Sequence, residues 1–278
     1  MLWTKLATDK TEVNEVFRKI EAQCGGTAAI GNVLIAHSHY DHLMDLPYVL
    51  NTHLTGRKVT VVGSSSTRNA LAAMHLSPYT FQQPDFGKGR CYDEILLNSR
   101  MKLKVIPSGH APHAKIFGIP FQGMQGDIGP KGVKGFDAPD YQARFGSWKE
   151  GEDYSFVIEI ERDNNERPFR IFIQSSSCEP SAGIPELAQD EQIDLAFIGV
   201  ASANNVPDYP ITLLQAIKPH YVVLIHWEDF FRSYELQPKI VRATRFTTFL
   251  DRYEKVMGAA YTSFTIMPRQ GTLLRFQY

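Results

Sequence analysis

The segment His37-Ser38-His39-Tyr40-Asp41-His42 places three imidazoles and a carboxylate within six residues. These groups are ligands for zinc, one ion or two, and the same donors accept iron or manganese. In an extended segment His37 and His39 face one way and can hold one ion between them, and Asp41 continues that row. His42 points elsewhere, so Asp41 and His42 can address a second ion a few ångströms from the first. Ions held in this way activate water for hydrolysis, and Asp41 is the residue expected to orient that water or take its proton.

Such a cluster needs rigid elements behind it. Residues 28–36 read as a buried strand entering the cluster, and 43–54 as a helix with Pro47 near its first turn, where a missing N–H costs little. Residues 58–63 read as a second strand, and Ser64-Ser65-Ser66-Thr67 offers hydroxyl caps for a helix through Met74. The opening is therefore βαβα. Two more histidines stand directly after strand-like runs: His110 after residues 101–106, and His226 after 221–225. Strand ends are where a sheet presents side chains to a shared crevice, so both are candidate ligands, whereas His53, His75 and His220 lack that placement.

The rest of the chain keeps the same alternation. Residues 154–161 and 168–174 form an expected hairpin, 194–200 a buried strand, 212–217 a short helix, 246–256 a helix, and 263–267 and 272–276 two last strands. Alternating strands and helices favour an α/β fold. Residues 117–151 are rich in Gly and Pro and read as a long loop, whose Phe117, Phe121, Phe136, Tyr141, Phe145 and Trp148 could wall an apolar substrate.

Composition narrows the partners. With 278 residues, 43% hydrophobic and 21% charged, the chain is expected to fold as one domain over 1–278. Its 29 basic and 30 acidic residues nearly cancel, which argues against nucleic acid and for a small-molecule or lipid-like substrate. Cys24, Cys91 and Cys178 make neither a disulfide framework nor a CxxC pair. No apolar run reaches signal-peptide or membrane-spanning length, so a cytoplasmic protein is expected, with the periplasm the alternative for a chain that has shed a leader. The sequence sets no oligomeric state.

The motif His37-x-His39-x-Asp41-His42, then Ser108-Gly109-His110, a strand ending near Ser176, and His226 resemble the successive metal motifs of the metallo-β-lactamase superfamily across nearly the whole chain. Within it, the runs around Tyr40 and Trp227-Glu228-Asp229-Phe230 most resemble members akin to ascorbate-phosphate lactonase and N-acylphosphatidylethanolamine phospholipase D. The resemblance implies a four-layered αββα sandwich. It also implies one zinc on His37, His39 and His110, and another on Asp41, His42 and His226, serving a phosphodiesterase or lactonase. His113 and the Glu228-Asp229 pair would be candidates for leaving-group protonation or for supporting the histidines.

The chain departs from the family pattern in two places. Ser176 occupies the position of the usual bridging aspartate, and a neutral hydroxyl is a weaker ligand, so the second site is expected to bind less firmly. Cys178 is the alternative donor. Only 36 residues precede His37, fewer than the family's usual opening strands. Two other readings remain: an iron-dependent oxidoreductase of the same fold, and a non-catalytic metal-binding relative that has lost the bridging carboxylate.

Overall fold

The computed structural model describes residues 5–87, 90–112, 115–116, 119–120, 124–133, 135, 142–163, 166–233, 235–260, 264–269 and 272–276. The chain packs as two compact units, each assembled from two separate stretches: Met1–Pro84 with Ile116–Asp153, and Asp85–Lys115 with Tyr154–Tyr278. Both units combine a sheet with helices, as the α/β expectation required.

In the first unit, helix α1 (Lys10–Cys24) is capped by the Asp9 carboxylate, which accepts from the Thr11 and Glu12 amides. A three-stranded parallel sheet follows, in the order β1 (Asn32–Leu34), β2 (Thr60–Val62), β3 (Thr80–Gln82). Parallel neighbours need crossovers. Between β1 and β2 lie α2 (Tyr40–Leu43) and α3 (Leu46–Thr52), and between β2 and β3 lies α4 (Ser65–Ala72). The single helix expected over 43–54 is thus two pieces, for a reason visible in the sequence. Pro47 has no N–H to give to Leu43, four residues back, and its ring would clash with that carbonyl. Ser64 caps α4 as expected, its hydroxyl accepting from the Thr67 amide at 3.2 Å. The core of this unit gathers Leu43, Leu50, Val61, Leu71, Ile128 and Trp148. Trp148 is fully buried there, so it cannot wall a substrate. Phe145 packs on the Tyr40 ring, with centroids 4.8 Å apart. Phe117, Phe121, Phe136 and Tyr141 lie outside the described residues.

The second unit holds a seven-stranded sheet whose spatial order follows the chain: β4 (Asp93–Asn98), β5 (Met101–Pro107), β6 (Tyr154–Ile160), β7 (Phe169–Gln174), β8 (Leu195–Gly199), β9 (Tyr221–Ile225), β10 (Phe264–Ile266). From β4 to β7 successive strands are antiparallel, including the expected β6–β7 hairpin. From β7 to β10 the strands are parallel, with α5 (Ile211–Ile217) and α6 (Phe246–Ala260) as crossovers. Strands β8 and β9 are apolar almost throughout because both faces are covered. Ala196 and Val222 join one buried cluster, while Leu195 and Val223 join another.

Because β6 is antiparallel to both β5 and β7, the strands β5, β7, β8 and β9 all end on one edge of the sheet. Residues 272–276 do not form the last strand expected of them. Their apolar alternation is real, since Leu274 and Phe276 pack against Phe169, Leu195 and Val223, but no ladder forms beside them. Among the described residues no helix is long and apolar enough to cross a membrane.

Charges are paired across three strands. Glu159 on β6 accepts from Arg170 Nε at 2.7 Å and Lys104 Nζ at 3.2 Å, and Arg170 reaches on to Glu191 at 2.8 Å. Burial alone would push the Glu159 carboxyl up, but Arg170 and Lys104 outweigh it and hold the group below its ordinary value. A depressed carboxylate contributes stability above its unfolded pKa and loses it as pH falls through the lower folded value. Glu159→Gln should therefore unfold at lower urea than the parent at pH 7, with the gap closing below the ordinary glutamate range. A gap that stays constant down to pH 3 would show that the network is not the cause.

Candidate metal centre

Past β1 the chain stays extended as far as His39, Ile35 N donating to Val62 O at 2.9 Å. His37, Ser38 and His39 are all buried. The alternation expected of an extended segment holds from His37 to His39 but does not continue to Asp41, because the chain turns into helix α2 at Tyr40. Ser38 meets Thr67 Oγ1 at 2.9 Å and Ser64 Oγ at 3.3 Å, at the start of α4, while His37 and His39 meet each other. His39 is the N-cap residue of α2 but makes no side-chain cap bond, which leaves its ring for other work.

The outer nitrogens of these rings decide what the inner ones can be. Nδ1 of His37 lies 2.9 Å from the buried Asp153 carboxylate, and Nε2 of His39 lies 3.3 Å from the Met124 carbonyl. Both partners are acceptors, so these contacts favour the tautomers that carry the proton on the outer nitrogens. In neutral rings the inner nitrogens, His37 Nε2 and His39 Nδ1, then hold lone pairs, and they face each other at 3.1 Å. Two lone pairs at that distance repel unless a cation lies between them. Nitrogens each 2.0–2.1 Å from one tetrahedral ion would stand roughly 3.3 Å apart, so the pair fits a metal.

Asp41 and His42 follow in the first turn of α2, with Asp41 Oδ2 3.6 Å from His42 Nε2. That spacing is too long for a hydrogen bond and suits two donors aimed at a common point. The His42 ring packs on the His37 ring, centroids 3.9 Å apart. The four motif residues thus form one cluster within the first unit.

The sequence motif contains no sign of Asp153. It is placed by the segment 150–153: the Ser38 amide donates to Glu150 O at 2.8 Å, Glu150 N to Met124 O at 2.8 Å, and Ser65 Oγ to the Glu152 carboxylate at 3.0 Å. Gly151 has φ 72°, and a Cβ there would stand 2.6 Å from Ser66 Cβ, so this close approach requires glycine. The readable signal was Gly151-Glu152-Asp153 just before a strand, which is weak by itself.

In the second unit the expected ligands sit on the common edge of the sheet. His110 follows β5, and its Nδ1 donates to Ala111 O at 2.8 Å, leaving Nε2 as the donor atom for a metal. His226 follows β9 directly and takes a left-handed backbone with φ 55°, an uncommon state for a side chain larger than glycine's. Ser176 follows β7 and is nearly buried, its hydroxyl 3.5 Å from Ser177 O. Cys178 is buried among Gln174 Nε2 at 3.3 Å, Ala182 O at 3.3 Å and Ser108 Oγ at 3.6 Å. Asp229 accepts from Arg242 Nε at 3.0 Å and from the Phe231 amide at 3.2 Å, which makes it an anchor of its loop. His113 lies outside the described residues.

No family model and no curated protein matches the chain. Among solved structures, human tRNase Z, short form, is 14% identical, with 70% of this chain and 71% of that one covered and a TM-score of 0.40. Yeast PDE1 is 11% identical over 97% of this chain and 77% of its own, with a TM-score of 0.43. A protein from Thermotoga maritima, described as a proposed zinc-dependent hydrolase of the metallo-β-lactamase superfamily, is 12% identical over 76% and 80%, with a TM-score of 0.32. Likenesses this distant carry no argument here.

If Asp153 fixes the His37 tautomer, Asp153→Ala should weaken zinc binding by roughly ten- to a hundredfold, and Asp153→Asn, which keeps an acceptor oxygen, should fall between. Chelator competition measures the affinity, and nitrogen-15 NMR of the imidazoles reads the tautomer directly. Unchanged affinity with a His37 ring still protonated on Nδ1 would show that Asp153 is a bystander.

Proposed function

We propose that the chain is a metal-dependent hydrolase of the metallo-β-lactamase superfamily, using zinc on a phosphodiester or a lactone-like ester. The observation that carries this reading is the facing of His37 Nε2 and His39 Nδ1 at 3.1 Å, with an acceptor placed at the outer nitrogen of each ring. In the assignment that the resemblance implies, His37, His39 and His110 hold one ion, and Asp41, His42 and His226 hold the other. Each set has three protein donors, which leaves coordination open for water and substrate as catalytic rather than structural sites require.

A bound ion of this kind supplies an acidified water and a positive charge for the oxygen that gains electrons. The chain's own residues do the rest. Asp41 orients the attacking water and can receive its proton, since its carboxylate borders the cluster and is only partly buried. Asp153, Met124 O and Ala111 O keep the three imidazoles in the tautomers that leave a lone pair for the metal. Ser176 stands in place of a carboxylate, so the second set has less negative charge than the family pattern and binds its ion more weakly.

Purified protein should carry between one and two equivalents of zinc, with His39→Ala losing the tighter ion and His226→Ala the weaker. Ser176→Asp should tighten the weaker one. Zinc-loaded protein should hydrolyse bis-nitrophenyl phosphate or acyl lactones faster than nitrocefin, with Asp41→Ala as the blank. Activity on nitrocefin alone would replace the substrate class. Full metal content without turnover would leave a metal-binding protein, and iron content with oxygen consumption would make it an oxidoreductase.

A further inference from the structure

The loop after His226 has a feature the metal chemistry does not use. Its base is a short antiparallel ladder: Val241 N donates to Trp227 O at 2.8 Å, Asp229 N to Lys239 O at 2.8 Å, and Glu228 bridges Ile240. Trp227 is buried, with its indole donating to Pro268 O at 3.0 Å. Above this base Asp229 makes a turn, Arg232 N donating to Asp229 O at 3.0 Å while the Phe231 amide is held by Asp229 Oδ1. The central positions of that turn are Phe230 and Phe231, 40% and 42% exposed. Turn centres ordinarily carry Gly, Pro, Asn, Asp or Ser, because such residues suit the backbone and tolerate water. Two phenylalanines on a turn this firmly tied contradict the local rule, and such contradictions concentrate at functional sites.

Their position says what they could meet. The Phe230 ring stands edge-to-face with the His226 imidazole at 5.4 Å and lies 5.0 Å from the Phe231 ring. Arg242 lies over Phe231 at 5.6 Å, but its guanidinium is matched by Asp229, so the surface is apolar and does not select for anions.

We infer that Phe230 and Phe231 form a platform for an apolar group attached to the scissile phosphodiester or ester, lying beside the bond that His226 helps to present. This rests on the proposed hydrolase reading for the place of the bond, but the platform can be tested by binding alone. The probes are hexyl(methyl)phosphinate and dimethylphosphinate, mimics of the phosphodiester anion whose P–C bonds cannot be hydrolysed, titrated calorimetrically into zinc-loaded and metal-free protein.

The hexyl probe should bind roughly tenfold more tightly than the methyl probe, since part of each added methylene leaves water. Phe230→Ser/Phe231→Ser should lose most of that ratio, and each single variant, a safeguard against misfolding of the double, part of it. Leu96→Ser, an exposed leucine on β4, should keep it. A ratio near one in the parent, or a ratio untouched in the variants, overturns the platform. So does a parent that self-associates in sedimentation and is made monomeric by the double variant without any hexyl preference, which would make this face a contact between copies. A hexyl preference in zinc-loaded protein that cleaves none of the ester panel removes the hydrolase reading and leaves the platform standing.

Discussion

Two imidazole nitrogens facing each other across 3.1 Å are the constraint around which the first unit is built. The arrangement is costly unless a cation joins it, and the protein enforces it from behind through Asp153 and the Met124 carbonyl. Much of the surrounding architecture follows from keeping those two acceptors in place. The hydroxyls at the start of α4 receive Ser38 and hold Glu152 and Asp127, and the amides of 150 and 151 tie back to 124 and 126. The result is a small polar scaffold backed by an apolar core that includes Trp148 and Leu71.

The second unit solves a different problem by topology. Its candidate donors come from positions 110, 176 and 226, so no local motif can collect them. The strand order does it instead, since β5, β7 and β9 run the same way and release the chain on one edge. The left-handed backbone of His226 adds a local turn at the point of release.

What could be read in advance separates along the same line. The strands, their direction of alternation and the histidine motif were legible because each is a short-range pattern: His37 and His39 share a face, and β9 spans the same residues the apolar run indicated. Asp153 was not legible, because its role depends on a contact with a residue more than a hundred positions away. The break between α2 and α3 was available in Pro47, whose place near a helix start conceals that it is also four residues beyond Leu43. The short strands β3 and β4 were missed because β3 has only three residues and β4, Asp-Glu-Ile-Leu-Leu-Asn, shows no clean alternation and buries only Ile95. Residues 272–276 misled in the opposite sense, showing the packing of a strand without the ladder.

The interleaving of the two units has a consequence for the order in which the protein can be made. The first unit includes Ile116–Asp153, so a growing chain that has released its motif histidines still lacks the carboxylate that sets the His37 tautomer. The stretch Asp85–Lys115, already synthesised, can pair β4 with β5, but the other edge of β5 must wait for β6, from Tyr154 onward. Domains made of contiguous chain can fold as they leave the ribosome, but here neither unit is complete until more than half of the polypeptide exists. Metal ions that reach the nascent chain therefore meet histidines not yet held in their final tautomers, and the full donor geometry becomes available only late in synthesis.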